Sequence, residues 1–289
     1  MKEINMKLKG KVAIVTAAGR GIGKAIALKL AQEGAKVVAN SFREETTQAV
    51  VDEIVKNGGE AVGIPGDIST VATIKQTVAK AIETYGQIDI LVNNAGGGAV
   101  DDSYDMNDPF GAVEAVWDGV YKLNMKAPVL MIEAVTPYFK EQKSGKIVNM
   151  SSIAGRSDLT VIESPIVPHF SYGSMKAALI RYTQYLADVL GPFNINVNAI
   201  CPGIIYTDAW KGNAEQIVKM HPKYKGQDSR EWFLGIFDLK YLDEFPIVTP
   251  MRREQTVDDI ANTTLFLVSD DSCNITGQSI NVDGGMTKA

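Results

Sequence analysis

The sequence predicts a doubly wound α/β domain, one parallel sheet with helices on both faces. Three observations predict it. Short runs of consecutive apolar residues recur along the chain, as strands buried on both faces require. Amphipathic helical stretches alternate with them, which is the rhythm of βαβ units. A glycine-rich turn joins the first apolar run to the first helix.

The elements follow in order. Lys11 to Thr16 reads as a buried strand, the turn runs from Ala17 to Gly23, and a helix carries Ile26, Leu28 and Leu30 to about Gly34. Lys36 to Ala39 is a second strand and Glu44 to Lys56 a helix, with Val50, Val51, Ile54 and Val55 at helical spacing. Ala61 to Ile64 is a third strand, and Asp67 follows it. Thr73 to Tyr85 is helical, Ile88 to Val92 a fourth strand, and Trp117 to Tyr138 one long helix. Lys146 to Met150, Phe170 to Leu190 and Ile195 to Ile200 read as strand, helix and strand. Val257 to Ser269 is helical and Ser279 to Val282 the last strand. Ile204 to Arg253 breaks the rhythm. No linker, repeat or composition shift divides the chain, so residues 1–289 read as one domain.

The totals narrow the function classes. Of 289 residues 45% are hydrophobic, ample for a large core. Lys plus Arg number 29 against 34 Asp plus Glu, a net charge of −5 without a long basic run, which argues against a nucleic-acid partner. Cys201 and Cys273 are too few for a disulfide framework, which suits a reducing cytoplasm. His169 and His221 stand apart without a ligand set around them, so no metal site is expected. No apolar run is long enough for a membrane helix, and the first residues lack a signal-peptide core.

Chemistry concentrates at a few points. Thr16, Ala17, Gly19, Arg20, Gly21, Ile22 and Gly23 connect strand to helix. Glycines there let the backbone approach a pyrophosphate, and the helix N-terminus offers N–H donors. A carboxylate at the end of the second strand would bind a free ribose 2′-hydroxyl and repel a 2′-phosphate. This chain has Asn40, Ser41, Phe42 and Arg43 there, and Arg20 and Arg43 suit a phosphate, so NADP(H) is expected ahead of NAD(H). Asp67 and Ile68 reach an adenine or, on the other reading, Asp67 caps the next helix, with Ser69 as a rival cap. Asn94, Ala95 and Gly96 end the fourth strand, where small residues admit a ligand. Tyr172 and Lys176 lie four apart on one helix face, and an ammonium beside a phenol lowers its pKa towards neutrality.

Taken together, the order Thr16 to Gly23, Asn93-Asn94-Ala95-Gly96, Asn124, Ser152, Tyr172 with Lys176, and Pro202-Gly203 resembles the short-chain dehydrogenase/reductase family, over nearly the whole chain. The resemblance implies a Rossmann-like fold and an oxidoreductase that interconverts a ketone and a secondary alcohol by hydride transfer. It implies Tyr172 as general acid/base, Lys176 as the group that lowers its pKa and binds the nicotinamide ribose, Ser152 as hydrogen-bond partner of the substrate oxygen, and Asn124 as holder of a relay water. Ser151 is the rival for the serine role. The resemblance adds Pro202, Gly203, Ile205 and Thr207 to the cofactor residues and makes about 204–250 a substrate lid.

Departures accompany it. Ala17 replaces the first loop glycine, and the segments 97–119 and 156–170 are long. Both segments are expected to border the substrate mouth. The lid holds Tyr206, Trp210, Tyr224, Trp232, Phe233, Phe237, Tyr241 and Phe245, which either wall an apolar substrate or pack the lid itself. Lys219, His221, Lys223, Lys225 and Arg230 form a basic patch, read first as a solvated face. An NAD-dependent alcohol, polyol or hydroxysteroid dehydrogenase is the alternative within enzymes; a catalytically silent nucleotide-binding redox sensor is the alternative outside them. The family's assembly implies a homotetramer, with a dimer as fallback.

Overall fold

The computed structural model describes residues 6–99, 101, 103, 105, 107–156, 169–241 and 249–288. Seven strands form one sheet: β1 (Val12–Val15), β2 (Lys36–Ser41), β3 (Glu60–Pro65), β4 (Ile90–Asn93), β5 (Gly145–Met150), β6 (Ile195–Pro202) and β7 (Ser279–Val282). Their order is β3-β2-β1-β4-β5-β6-β7, and every pairing is parallel. The order reverses between β1 and β4, where two crossovers diverge and leave a crevice at the carboxyl ends.

Two apolar layers cover the sheet. On one face lie α1 (Gly21–Gln32), α2 (Glu44–Lys56) and α9 (Val257–Val268), burying Ile26, Leu30, Val50, Ile54, Ile260 and Leu265. On the other lie α3 (Val71–Tyr85), α5 (Ala127–Gln142) and α6 (His169–Leu190), burying Ile74, Val78, Met131, Val135, Leu186 and Leu190. Central strands β1, β4 and β6 are buried throughout, which accounts for their unbroken apolar runs.

Three expectations are corrected here. The single helix expected over Trp117–Tyr138 is α4 (Pro109–Tyr121), a π turn (Lys122–Lys126) and then α5. Pro128 has no N–H to offer the carbonyl four residues back, on Asn124, and the ladder shifts there: Ala127 N–H donates to Lys122 O. Part of the long segment at 97–119 is helix, begun by Asp108, whose carboxylate accepts from Gly111 N at 2.9 Å. The stretch that breaks the rhythm contains α7 (Asp208–Met220) and α8 (Ser229–Phe237), which share a separate small core. Finally, neither Asp67 nor Ser69 caps α3; Thr70 does, and Asp67 accepts from Ser69 N and Ser69 Oγ, both at 2.9 Å. Most of the long segment at 156–170 lies outside the described residues, as do 242–248 of the lid.

Candidate active site

The carboxyl ends of β1, β4, β5 and β6 carry the sites that the sequence marks. Ser152 begins a 3-10 turn (Ile153–Gly155) directly after β5, and its hydroxyl accepts from Ala154 N at 3.1 Å. The same hydroxyl lies near enough to the Tyr172 phenol to pull its pKa down in part. Gly155 lets α6 approach this closely, since a methyl there would sit 2.7 Å from Ala177 N. Ser151, the rival serine, is 3% exposed and donates to Lys176 O at 2.9 Å, so it ties β5 to α6 and does not face the crevice beside Tyr172.

Lys176 is 2% exposed, and its Nζ donates to Met150 O at 2.8 Å. Burial pushes the ammonium down to about 8. Its Nζ lies 5.5 Å from the centroid of the Tyr172 ring. Burial pushes Tyr172 up, and the nearby Ser152 hydroxyl pulls it down only in part. The phenol loses water on folding, and the nearby ammonium is spent on a carbonyl.

Asn124 is fully buried on the π turn. It clasps Gly97 in both directions, Nδ2 to Gly97 O at 2.8 Å and Gly97 N to Oδ1 at 2.9 Å, and Nδ2 also donates to Val120 O. Gly96 is needed between them: a methyl there would stand 2.7 Å from Lys176 Nζ and 2.9 Å from Asn124 Oδ1. Asn124, Gly96 and Lys176 thus meet at one point.

The glycine turn lies at the other end of the crevice. Ala17 adopts φ 51°, a left-handed conformation that costs little for glycine and more for alanine. A methyl on Gly19 would fall 2.3 Å from Ser41 Oγ, and one on Gly23 2.2 Å from Ala17 O, so both backbones are packed to contact. Arg20 stands at the N-terminus of α1 without a side-chain cap, and no acid occupies the first turn. Those free N–H groups and the open turn fit a pyrophosphate. Thr16 is a strut more than a contact: 1% exposed, it accepts from Asn94 N at 3.0 Å and Ala95 N at 2.9 Å. Ile22 and Ile68 flank the crevice from the apolar layers, Ile68 being buried. Ser41 hydrogen-bonds Thr46 at 2.9 Å beneath Gly19, and Arg20 and Arg43 are exposed at this corner, with Glu44 and Glu45 exposed beside Arg43. Arg20 pairs loosely with Asp208 at 3.5 Å.

Beyond β6, Gly203 N donates to Val282 O at 3.0 Å and Ile205 pairs with Gln255 in an isolated bridge. Thr207 starts α7 with its methyl 3.5 Å from where a Gly21 side chain would begin, so this segment closes over the glycine turn. The lid aromatics mostly pack one another. Tyr224, Trp232, Phe233 and Phe237 are at most 2% exposed, and Tyr206 and Trp210 lean on Phe233 at 4.8 and 5.9 Å. Arg230 leaves the basic patch, pairing with Glu254 at 2.7 Å and stacking over Tyr206 at 4.4 Å. Sequence reasoning missed Cys201 and Arg156. The Cys201 thiol is fully buried, and burial pushes its pKa up while Arg156, Ser151 and Ser152 nearby pull it down; its position just before Pro202 was its signal in the sequence.

Comparison with known proteins agrees with this arrangement. A family model described as short chain dehydrogenase matches residues 11–217, and one described as enoyl-(acyl carrier protein) reductase matches residues 237–287. The chain belongs to the short-chain dehydrogenase family. It is an oxidoreductase acting on CH–OH groups. Cyclohexanol dehydrogenase of Rhodococcus sp. (strain TK6) is 36% identical, covering 98% of each chain. The structure of a 7α-hydroxysteroid dehydrogenase complexed with NADH and 7-oxo glycochenodeoxycholic acid superposes with a TM-score of 0.78 at 34% identity, covering 99% of this chain and 97% of that one. L-sorbose reductase of Gluconobacter frateurii, complexed with NADPH and L-sorbose, gives a TM-score of 0.82 at 27% identity, covering 99% and 100%. Among the described residues no group of side chains could hold a metal ion, and no helix is long and apolar enough to cross a membrane.

Proposed function

We propose that this protein is a single-domain, cytoplasmic enzyme that interconverts a ketone and a secondary alcohol with NADP(H). The observation that carries the reading is the placing of Ser152 near Tyr172, with Lys176 on the same helix face. The nicotinamide, when bound, supplies or accepts the hydride. The protein's own residues handle the oxygen and its proton. Ser152 donates to the substrate oxygen and orients it. Tyr172 delivers or removes the proton at that oxygen. Lys176 stays protonated at neutral pH, since its pKa is about 8, would hold the nicotinamide ribose, and keeps a positive charge beside the Tyr172 ring. Asn124 holds Gly97 and hence the floor of the site.

The glycine turn, Asn94, Ala95, Gly96, Pro202, Gly203, Ile205 and Thr207 would hold the cofactor. NADP(H) is favoured because β2 ends without a carboxylate and Arg20 and Arg43 stand exposed beside it. The lid at about 204–250 would cover the substrate. Relatives named for cyclohexanol and a hydroxysteroid support cyclic secondary alcohols as the first substrates to try. Assembly as a homotetramer, or a dimer failing that, draws support from α4. Phe110, Val113, Trp117 and Tyr121 recur on one face of it and are between 38% and 80% exposed. The test is initial rates on a panel of cyclic, aliphatic and sugar ketones with NADPH and with NADH. Turnover by neither cofactor would leave the silent sensor standing; a wild-type preference for NADH would overturn the cofactor assignment.

A further inference from the structure

The lid meets the chain that leads into α9 at an ion pair. Asp228 caps α8, its carboxylate accepting from Arg230 N and Glu231 N at 2.9 Å, so Arg230 stands in the first turn of that helix. A cation there opposes the helix dipole, so helix stability does not account for it. The guanidinium turns to Glu254, its Nη2 lying 2.8 Å from Oε1 and 2.7 Å from Oε2. The two side chains are 39% and 26% exposed, so water and salt screen the pair less than they would on an open surface. Glu254 stands on a fixed support. Two residues on, Thr256 forms a capping box with Asp259 at the start of α9, and Met251 N donates to Gly284 O beyond β7 at 3.2 Å. The guanidinium also covers the Tyr206 ring at 4.4 Å, and that ring leans on Phe233 of α8 at 4.8 Å. Tyr206 lies between Ile205 and Thr207, in a turn where Thr207 N donates to Ile205 O at 2.7 Å. Thr207 is the residue that closes over Gly21.

We propose that Arg230 and Glu254 form a clasp that, through the Tyr206 ring, holds residues 205–207 down over the bound coenzyme and slows its release. This rests on the proposed reading of Ile205 and Thr207 as coenzyme residues. Arg230 and Glu254 act through Tyr206, as positioning residues. The lid does not need the clasp to fold, because Tyr224, Trp232, Phe233 and Phe237 bury one another without it. What the clasp fixes is where that small core sits against the strand ends. Release of a covered ligand waits on the opening of its cover. Here opening must break an ion pair and uncover a ring at the same time.

Two substitutions remove the charge from either side. Arg230→Met keeps the aliphatic stem over Tyr206 and removes the guanidinium. Glu254→Gln keeps the shape of the side chain. Each is expected to raise koff for the coenzyme roughly fivefold in stopped-flow displacement, the scale of a partly exposed pair with its ring contact. The association rate should change little. NADPH and NADH should respond alike, because the corner that would hold a 2′-phosphate is untouched. The double variant should release coenzyme no faster than the faster single one, because the two residues act as one unit. In the free protein, hydrogen exchange of residues 203–211 should quicken in both variants, while residues 231–237 of α8 keep wild-type protection. A merely structural role would lower the unfolding midpoint and leave koff alone. Wild-type koff, an effect confined to NADPH, additive changes in the double variant, or unchanged exchange at 203–211 would each overturn the inference. A wild type that binds neither coenzyme would instead overturn the proposed activity, and exchange at 203–211 would still decide whether the clasp holds the segment.

Discussion

Replacing Lys176 by methionine should separate what the ammonium does for the reaction from what it costs the fold. The side chain is 2% exposed, and its pKa falls from 10.5 to about 8 on burial. That difference corresponds to about 3 kcal/mol held against folding at neutral pH. Methionine has a similar reach and no charge, so it removes this penalty. It also leaves Met150 O without its 2.8 Å donor, which costs about 1–3 kcal/mol. At pH 7 the two effects nearly cancel, and the variant should be about as stable as the wild type. They separate with pH. Between about 8 and 10.5 the unfolded wild type still binds the proton that the folded one has released. Stability rises with pH wherever the unfolded state binds more protons. The wild type should therefore gain up to about 3 kcal/mol on the variant across that window, then level off. Other titrating groups are shared and drop out of the difference. Urea unfolding of both proteins without coenzyme, at one protein concentration and at pH 7, 8, 9 and 10, measures it. A difference that is flat with pH would refute the reasoning, as would a variant that loses no turnover.

Tyr172→Phe should lower kcat by at least ~100-fold while coenzyme binding, followed by fluorescence titration, stays near wild type; activity within tenfold of wild type would remove Tyr172 from its role. Arg43→Ala should raise KM for NADPH by roughly tenfold, the loss of one charge-assisted phosphate contact, and leave KM for NADH unchanged. Equal effects on the two would place Arg43 away from the 2′-phosphate. Val113→Glu combined with Trp117→Glu should split the assembly, seen as a smaller mass in light scattering. A wild-type mass near 31.3 kDa at micromolar concentration would refute the oligomer outright.

What was legible in the sequence depends on how local the cause is. The helix Glu44–Lys56 and the strand Ser279–Val282 were read with their observed bounds, because apolar spacing and flanking residues suffice for both. The π turn at Asn124 was not, because its cause is a missing donor at Pro128 combined with a clasp to Gly97, 27 residues away. Helices α7 and α8 hid among aromatics whose partners are each other; only the fold turns Trp232 and Phe233 from candidate substrate walls into a core. The site divides the same way. Tyr172, Lys176, Ser152 and Asn124 come from motif spacing, but the partner of each polar group comes from tertiary neighbours. Lys176 is spent on Met150 O and Ser151 on Lys176 O. Both acceptors are backbone carbonyls, which every residue carries, so motif spacing can mark the side chain but not what it holds.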